Sequence, residues 1–175
     1  MPKNNRWSYL NDFKKDDSGK YEYQGKTIVF AGSEEDRRKA YVPLWITLAL
    51  CIASGVGSGC ISGAGITNTF YVIIPYIAEM SALFALGWFH FKLLTKGGEV
   101  REYIYKTTQP RIPIASMLIA FFAIAGFILS LVFSISTGFR DGLLNAILYL
   151  VLKSVSAALA LIYRNCFSKL EWIEI

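Results

Sequence analysis

Glu79 and Lys153 are the residues best suited to chemistry, because each is an ionisable side chain inside a long apolar segment. An isolated charge near the middle of a bilayer costs about 2.5 kcal/mol or more, so each needs a partner or a function. Glu79 follows Phe70 by nine residues and Lys153 follows Leu143 by ten. At 1.5 Å per residue both lie roughly 14–15 Å into helices of the same direction. The sequence therefore predicts an ion pair near the bilayer midplane.

Tyr76 and Tyr149 stand about one helical turn before these charges and could supply hydroxyl donors to them. Pro75 removes a backbone hydrogen bond one turn from Glu79, which could bend or open the helix. The cluster can be a fixed ion pair that sets helix register, although such a pair is not always more stable than two apolar residues. It can equally be a polar point in a permeation path, where Glu79 exchanges a proton or a cation. The sequence leaves both interpretations open.

The helix around Lys153 separates small residues from large ones, which predicts the direction of the lysine. Leucine, valine and isoleucine occupy the face opposite Lys153 and are expected to meet lipid. The face within about 60° of Lys153 carries Ala146, Tyr149, Ser156, Ala157, Ala160 and Arg164. Lys153 is therefore predicted to face the interior of a helix bundle.

His90, the sole histidine, lies in "GWFHFK" and is predicted to belong to an aromatic belt at the membrane interface. A metal site would need companion ligands, and the sequence has no suitable His/Cys cluster. Nucleophile elbows, phosphate loops and paired acids at helical spacing within a span are absent too. We expect no catalytic residues, no metal and no cofactor, and hence no enzyme.

Small residues at four-residue spacing mark two of the apolar segments. They are Gly55, Gly59 and Gly63 in the first segment, and Gly126, Ser130 and Ser134 in the third. Such a strip lets two helix backbones approach closely in lipid. Packing within the chain, a homodimer interface and a pore lining all remain possible uses of this strip.

Four apolar segments must position these residues: 41–60, 70–94, 112–136 and 143–163. Each has about 20 residues or more, enough to cross roughly 30 Å of hydrocarbon. No cleavable signal peptide is evident before the first segment. The sequence predicts an all-α integral membrane protein, with a leader in residues 1–39 and four transmembrane helices in residues 40–175.

Lysine and arginine set the predicted orientation. Sixteen of the 18 lie in residues 1–39, in residues 92–111 or after residue 163, whereas residues 61–69 contain none. Positive flanks stay in the cytoplasm, so we expect both termini inside and a plasma-membrane location. Acidic residues are interspersed throughout the leader, which argues against nucleic-acid binding.

The leader carries signals for a small cytoplasmic β-hairpin element. "GKYEYQGKTIVF" predicts a hairpin that turns at Gln24-Gly25 and places Tyr21, Tyr23, Ile28 and Phe30 on one face. That face needs a cover, which could be the membrane surface, "REYIYKT", the tail "KLEWIEI" or a partner chain. Ser33 and Asp36 then predict a capped juxtamembrane helix that leads into the first span.

The two halves of the chain also show a faint correspondence. A shift of 73 residues aligns Tyr76 with Tyr149 and Ser81 with Ser154. Both halves have the same predicted orientation, so a repeat would be parallel, about an axis along the membrane normal. Such matches are few, and chance similarity between membrane helices is the favoured explanation.

These features predict a non-catalytic multi-pass membrane protein that acts as an oligomeric or accessory subunit. It would bind the bilayer and either itself or another membrane protein, through its small-residue helix faces and a tyrosine-rich cytoplasmic surface. The alternative is a small oligomeric transporter or channel with Glu79 and Lys153 at its centre. A dry, closed pair favours the first function, and a water-filled cavity that reaches the pair favours the second.

Overall fold

Helices dominate the computed structural model, which describes residues 13–15, 19–23, 25–62, 69–95, 99–140 and 142–175. Four helices are long and apolar enough to cross a membrane, and a shorter helix directly precedes one of them. The prediction of a mostly helical, multi-pass membrane protein is confirmed to that extent. The helices are α1 (Glu34–Gly59), α2 (Phe70–Leu94), α3 (Glu102–Thr108), α4 (Arg111–Ser136) and α5 (Leu143–Ser168).

Helix α1 begins before the first apolar segment because its N-terminus is capped as predicted. The Ser33 hydroxyl accepts a hydrogen bond from the Asp36 amide at 3.2 Å, and the Asp36 carboxylate accepts one from the Ser33 amide at 3.3 Å. This reciprocal pair satisfies two amides that the helix itself leaves unpaired. The expected juxtamembrane helix and the first span are therefore one continuous helix, with Pro43 inside it.

The four long helices form a bundle in which α4 packs closely against both α2 and α5, and α1 packs closely against α5. The backbones of α1 and α2 approach each other over a shorter length. Large apolar side chains such as Phe84, Phe121 and Leu144 remain exposed on the outside of the bundle. An exposed apolar surface of this kind suits a bundle surrounded by lipid.

Two small antiparallel sheets accompany the helices, and their pairing differs from the predicted hairpin. Strand β1 (Phe13–Lys15) pairs with β2 (Tyr21–Tyr23). Strand β3 (Thr27–Phe30) lies between β4 (Glu99–Arg101) and β5 (Trp172–Glu174). The prediction that residues 21–23 pair with residues 27–30 across Gln24-Gly25 is therefore wrong. A hairpin of two short strands is marginal alone, whereas the distant strands pair with β3 on both edges and bring apolar cover.

The three-stranded sheet lies at one end of the bundle, which we call the sheet end. The Phe30 ring lies 5.8 Å from Tyr41 of α1 and 6.3 Å from Trp172 of β5, measured between ring centroids. Val100 of β4 joins the same buried cluster as the helix cores. Two of the four expected covers, "REYIYKT" and "KLEWIEI", thus adjoin the sheet, while Tyr21 is exposed rather than covered.

Candidate functional site

Glu79 and Lys153 meet inside the bundle. The Lys153 ammonium donates a hydrogen bond to Oε2 of Glu79, and the Ser156 hydroxyl donates one to Oε1 at 2.6 Å. Both oxygens of the carboxylate are therefore satisfied, by two donors one helical turn apart on α5. Ser156 lies on the predicted inward face of α5, but its role as a ligand of the carboxylate escaped the sequence analysis.

Two tyrosine rings flank the Lys153 ammonium. Its nitrogen lies 4.6 Å from the Tyr76 ring centroid and 5.2 Å from the Tyr149 ring centroid. Both distances suit a cation–π contact. The tyrosines thus approach the charge with their ring faces, whereas the sequence suggested their hydroxyls. The Tyr149 hydroxyl is buried and has no hydrogen-bond partner among the described residues.

The charged pair is closed to the outside, since neither the Glu79 nor the Lys153 side chain has any exposed surface. Removing two charges from water is costly, and their mutual attraction offsets that cost only with good geometry and further hydrogen bonds. Ser156 and the two rings supply such contacts. Pro75, one turn from Glu79, is itself buried and donates no backbone hydrogen bond to the helix.

The small-residue strip is largely consumed by packing within the chain. A Cβ at Gly59 would stand 1.9 Å from the Tyr76 hydroxyl, and one at Gly55 would stand 2.5 Å from Cδ1 of Leu83. Gly126 faces Lys153 and Tyr149, with both at 3.6 Å from a built Cβ. Ser130 and Ser134 are buried as well, and Gly63 lies outside the described residues. These glycines create the space that the tyrosines and the lysine occupy.

His90 is fully buried, although the sequence suggested an anchor in the interfacial belt. Its Nδ1 shares a 2.6 Å hydrogen bond with the Tyr163 hydroxyl, and its ring stands edge-on to Trp45 at 4.2 Å. This second polar contact between α2 and α5 lies about 16 Å from Glu79 along α2, at 1.5 Å per residue. A shared inward face of His90 and Glu79, eleven residues apart, was the available signal.

The arrangement can hold helices in register more readily than it can turn over a substrate. Each oxygen of the Glu79 carboxylate already accepts one hydrogen bond, from Lys153 or from Ser156. The described residues contain no group of three or more His, Cys, Asp or Glu side chains that could hold a metal ion. Comparison with protein-family models, with curated proteins and with solved structures finds no match for this chain.

Proposed function

We propose that this chain is a non-catalytic membrane subunit that assembles with a second copy of itself or with another membrane protein. The observation that carries the proposal is the closed Glu79–Lys153 pair, with both carboxylate oxygens bonded and no exposed surface on either side chain. A pair in this state ties α2 to α5 and contributes a fixed register. The proposal retains a plasma-membrane location with both termini in the cytoplasm, as the lysine and arginine distribution predicts.

The partner surface is expected at the sheet end, because the small-residue faces are occupied within the chain. Among the described residues, β5 pairs with β3 alone, so its other edge is available for pairing. Ile173 and Ile175 of this segment are 53% and 78% exposed, and Tyr21 on the neighbouring sheet is 73% exposed. Exposed apolar side chains beside an unpaired strand edge are typical of an interaction surface.

A transporter or channel is the second candidate, and a specific observation keeps it in view. The Tyr149 hydroxyl is buried beside Lys153 without a partner in the described part of the chain, and Pro75 interrupts the backbone bonding of α2 nearby. A rearranged state could use both groups to admit water. Transport would then require several copies, since four helices are few to enclose a path.

Mass measurement in mild detergent combined with flux measurement in proteoliposomes separates the two functions. A subunit gives a stoichiometric assembly larger than one chain and no proton or ion flux above that of protein-free vesicles. Flux that Glu79→Gln abolishes would replace the proposal with the transporter. A chain that remains monomeric and carries no flux would contradict both.

The proposed surface has its own test in the same mass measurement. The double change Ile173→Ser with Ile175→Ser is expected to dissociate the assembly, since both side chains are mostly exposed in one chain. Glu171→Gln in the same segment is the matched control and should leave the assembly intact. An assembly that survives the double change would place the contact elsewhere on the chain.

A further inference from the structure

We propose that the gap between α1 and α2 binds one anionic glycerophospholipid, with its headgroup at the sheet end. The inference requires only that these two helices cross a membrane and does not depend on the proposed subunit function. Because the α1 and α2 backbones are close over a short length only, cavities open between the two helices. We call this gap the α1–α2 seam.

The first cavity of the seam lies at the sheet end and offers groups for a phosphate. It has a volume of about 370 Å³. Glu34, Arg37 and Arg38 contribute its charged lining, and Tyr41 and Trp45 its aromatic lining. Glu34 forms an ion pair with Arg37 at 3.2 Å, whereas Arg38 forms no ion pair among the described residues. The charge left over is therefore positive.

Tyr41 supplies an independent sign of a missing ligand. Its side chain is 9% exposed, and its hydroxyl has no hydrogen-bond partner among the residues that the structure describes. A buried hydroxyl without a partner is destabilising, because it has given up its hydrogen bonds to water without replacing them. A phosphate or ester oxygen in the first cavity could accept this hydrogen bond, and Tyr and Trp are typical of the headgroup level of a membrane.

The second cavity of the seam lies further from the sheet end, against α2 and Ile52 of α1, and is almost entirely apolar. It has a volume of about 360 Å³ and is lined by Ile52, Met80, Leu83, Phe84, Gly87, Trp88 and Phe91. From Phe91 to Met80 it extends roughly 16 Å at 1.5 Å per residue, about half of a 30 Å hydrocarbon core. That is the depth of one leaflet. A Cβ at Gly87 would meet no atom within 4 Å, so this part of the seam is open.

The order of the two cavities favours a lipid over a helix. Positive charge comes first, aromatic residues with polar groups come next, and apolar side chains follow over one leaflet. Phosphate, ester and acyl chain occur in the same order in a phospholipid. A second helix that filled the seam would have to place an acidic residue beside Arg38 and apolar residues over the rest.

A control exists in the same chain. A cavity of about 350 Å³ beside α4 and α5 is lined by apolar side chains and by Arg164. It has one arginine, and its lining includes no tyrosine. This cavity therefore offers an acyl groove with one positive charge, but it lacks the two arginines and the buried tyrosine hydroxyl of the first cavity.

Native mass spectrometry of the purified protein tests the proposal with phosphatidylglycerol and phosphatidylcholine of identical acyl chains. The wild type should retain one phosphatidylglycerol in preference to phosphatidylcholine. Arg38→Gln should lower that preference about fivefold, the size expected for one basic residue near an anionic headgroup. Arg164→Gln should leave it unchanged. Equal retention of the two lipids by the wild type, or an equal loss in both variants, would overturn the proposal.

Gly87→Leu tests the apolar half of the seam. In a protein with both arginines intact, this change should reduce the retention of phosphatidylglycerol, because the new side chain fills the open part of the second cavity. The glycine's surroundings accept a Cβ, so the variant is expected to fold with an unchanged helical circular dichroism spectrum. Unchanged lipid retention would overturn the proposal, as would a wild-type dimer that Gly87→Leu dissociates, which would assign the seam to a helix.

Discussion

Helices α2 and α5 bury corresponding positions with side chains of different size, and the helix pairs α1–α2 and α4–α5 pack differently. At the offset of 74 residues that separates Glu79 from Lys153, buried residues of α2 correspond to buried residues of α5. Val72 corresponds to Ala146, Leu83 to Ala157 and Leu86 to Ala160. Helix α5 packs closely on α4, whereas the backbones of α1 and α2 approach each other over a shorter length.

The sheet end also joins the two halves of the chain. Ile28 of β3 pairs directly with Val100 of β4, so two similar positions of the two halves meet each other in the sheet. Helices α2 and α5 thus bury corresponding positions and differ in the size and charge of the side chains there. Glu79 and Lys153, at corresponding positions, are the sharpest of those differences. The following variants test how much of the fold depends on it.

The largest effect is expected from removing one charge of the central pair. Glu79→Gln and Lys153→Met should each lower the free energy of unfolding by about 3–5 kcal/mol, because the other charge then remains buried without its partner. The double variant should recover most of that loss, since a polar amide and an apolar chain replace the pair. Reversible unfolding in mixed micelles measures the cycle.

The control for this cycle is Ser154→Met, a change at an exposed position beside Lys153. It should stay within about 0.5 kcal/mol of the wild type. Additive losses in the double variant would show that Glu79 and Lys153 do not stabilise each other. The charges at these corresponding positions of α2 and α5 would then contribute no interaction free energy to the fold.

Exchanging the two charges sharpens the comparison further. Glu79→Lys combined with Lys153→Glu restores opposite charges at corresponding positions, so it should be more stable than either single exchange. It should remain about 1–3 kcal/mol below the wild type, because Ser156 would then have to donate along its own helix and one charged hydrogen bond is lost. The same unfolding measurement applies. Full recovery would mean that the Ser156 bond contributes nothing.

A glycine pair on α1 tests the contact between the α1–α2 seam and the central charges. Gly59→Ala should lower stability by about 1–2 kcal/mol, since its Cβ would displace the Tyr76 ring that contacts Lys153. Gly57→Ala is the matched control, because its Cβ would meet Leu152 at 3.7 Å, an ordinary contact. Helix propensity favours alanine at both positions, and less at Gly59 because it is the last residue of α1. If Gly59→Ala and Gly57→Ala were equally stable, the contact between Tyr76 and Lys153 would not contribute to stability.

The smallest effect is expected at the surface ion pair between Lys26 and Glu174 on the three-stranded sheet. The Lys26 ammonium hydrogen-bonds the carboxylate and lowers the pKa of Glu174, while Glu174 raises the pKa of Lys26. The contribution of Glu174 is therefore present above its ordinary pKa and is lost as the pH falls through the lowered value. The contribution of Lys26 is present below its ordinary pKa and is lost as the pH rises through the raised one.

Amide hydrogen exchange of Ile175, whose N–H bonds the Thr27 carbonyl at 2.9 Å, reports this pair. The Ile175 amide should be better protected in the wild type than in Glu174→Gln. This difference should be greatest near neutral pH and should disappear in acid. Both side chains are exposed, so the difference is expected to be small. Glu171→Gln serves as the control and should match the wild type. A protection ratio independent of pH would exclude the ion pair as its source.

Much of the helical fold could be predicted because each span is a run of apolar residues long enough to cross a bilayer. The inward direction of Lys153 followed from the alanines and the serine on its face. The residues predicted on that face are buried, apart from Arg164, which is exposed. Glu79 and Lys153 also lie at similar distances from Phe70 and Leu143, where their helices begin, and therefore at the same depth in the bundle. These predictions rest on helix geometry, which is local and regular.

The strand pairing could not be predicted in the same way, since β3 takes partners from remote parts of the chain. A local hairpin signal at Gln24-Gly25 carries no information about residues 99–101 and 172–174. The contribution of Ser156 and the burial of His90 were missed for a related reason, because both depend on how α2 and α5 face each other. The 73-residue shift of the sequence is one residue short of the offset between the two charges.

The central position of β3 has a consequence for biosynthesis. Its partner β5 is translated long after it, and at about 5–20 residues per second the interval from Ile28 to Trp172 is roughly 7–30 s. Throughout that time one edge of β3 waits unpaired, while the ribosome produces the helices that must enter the bilayer. Closure of the sheet therefore requires that α5 is complete and that the chain has returned to the end of the bundle at which β3 lies.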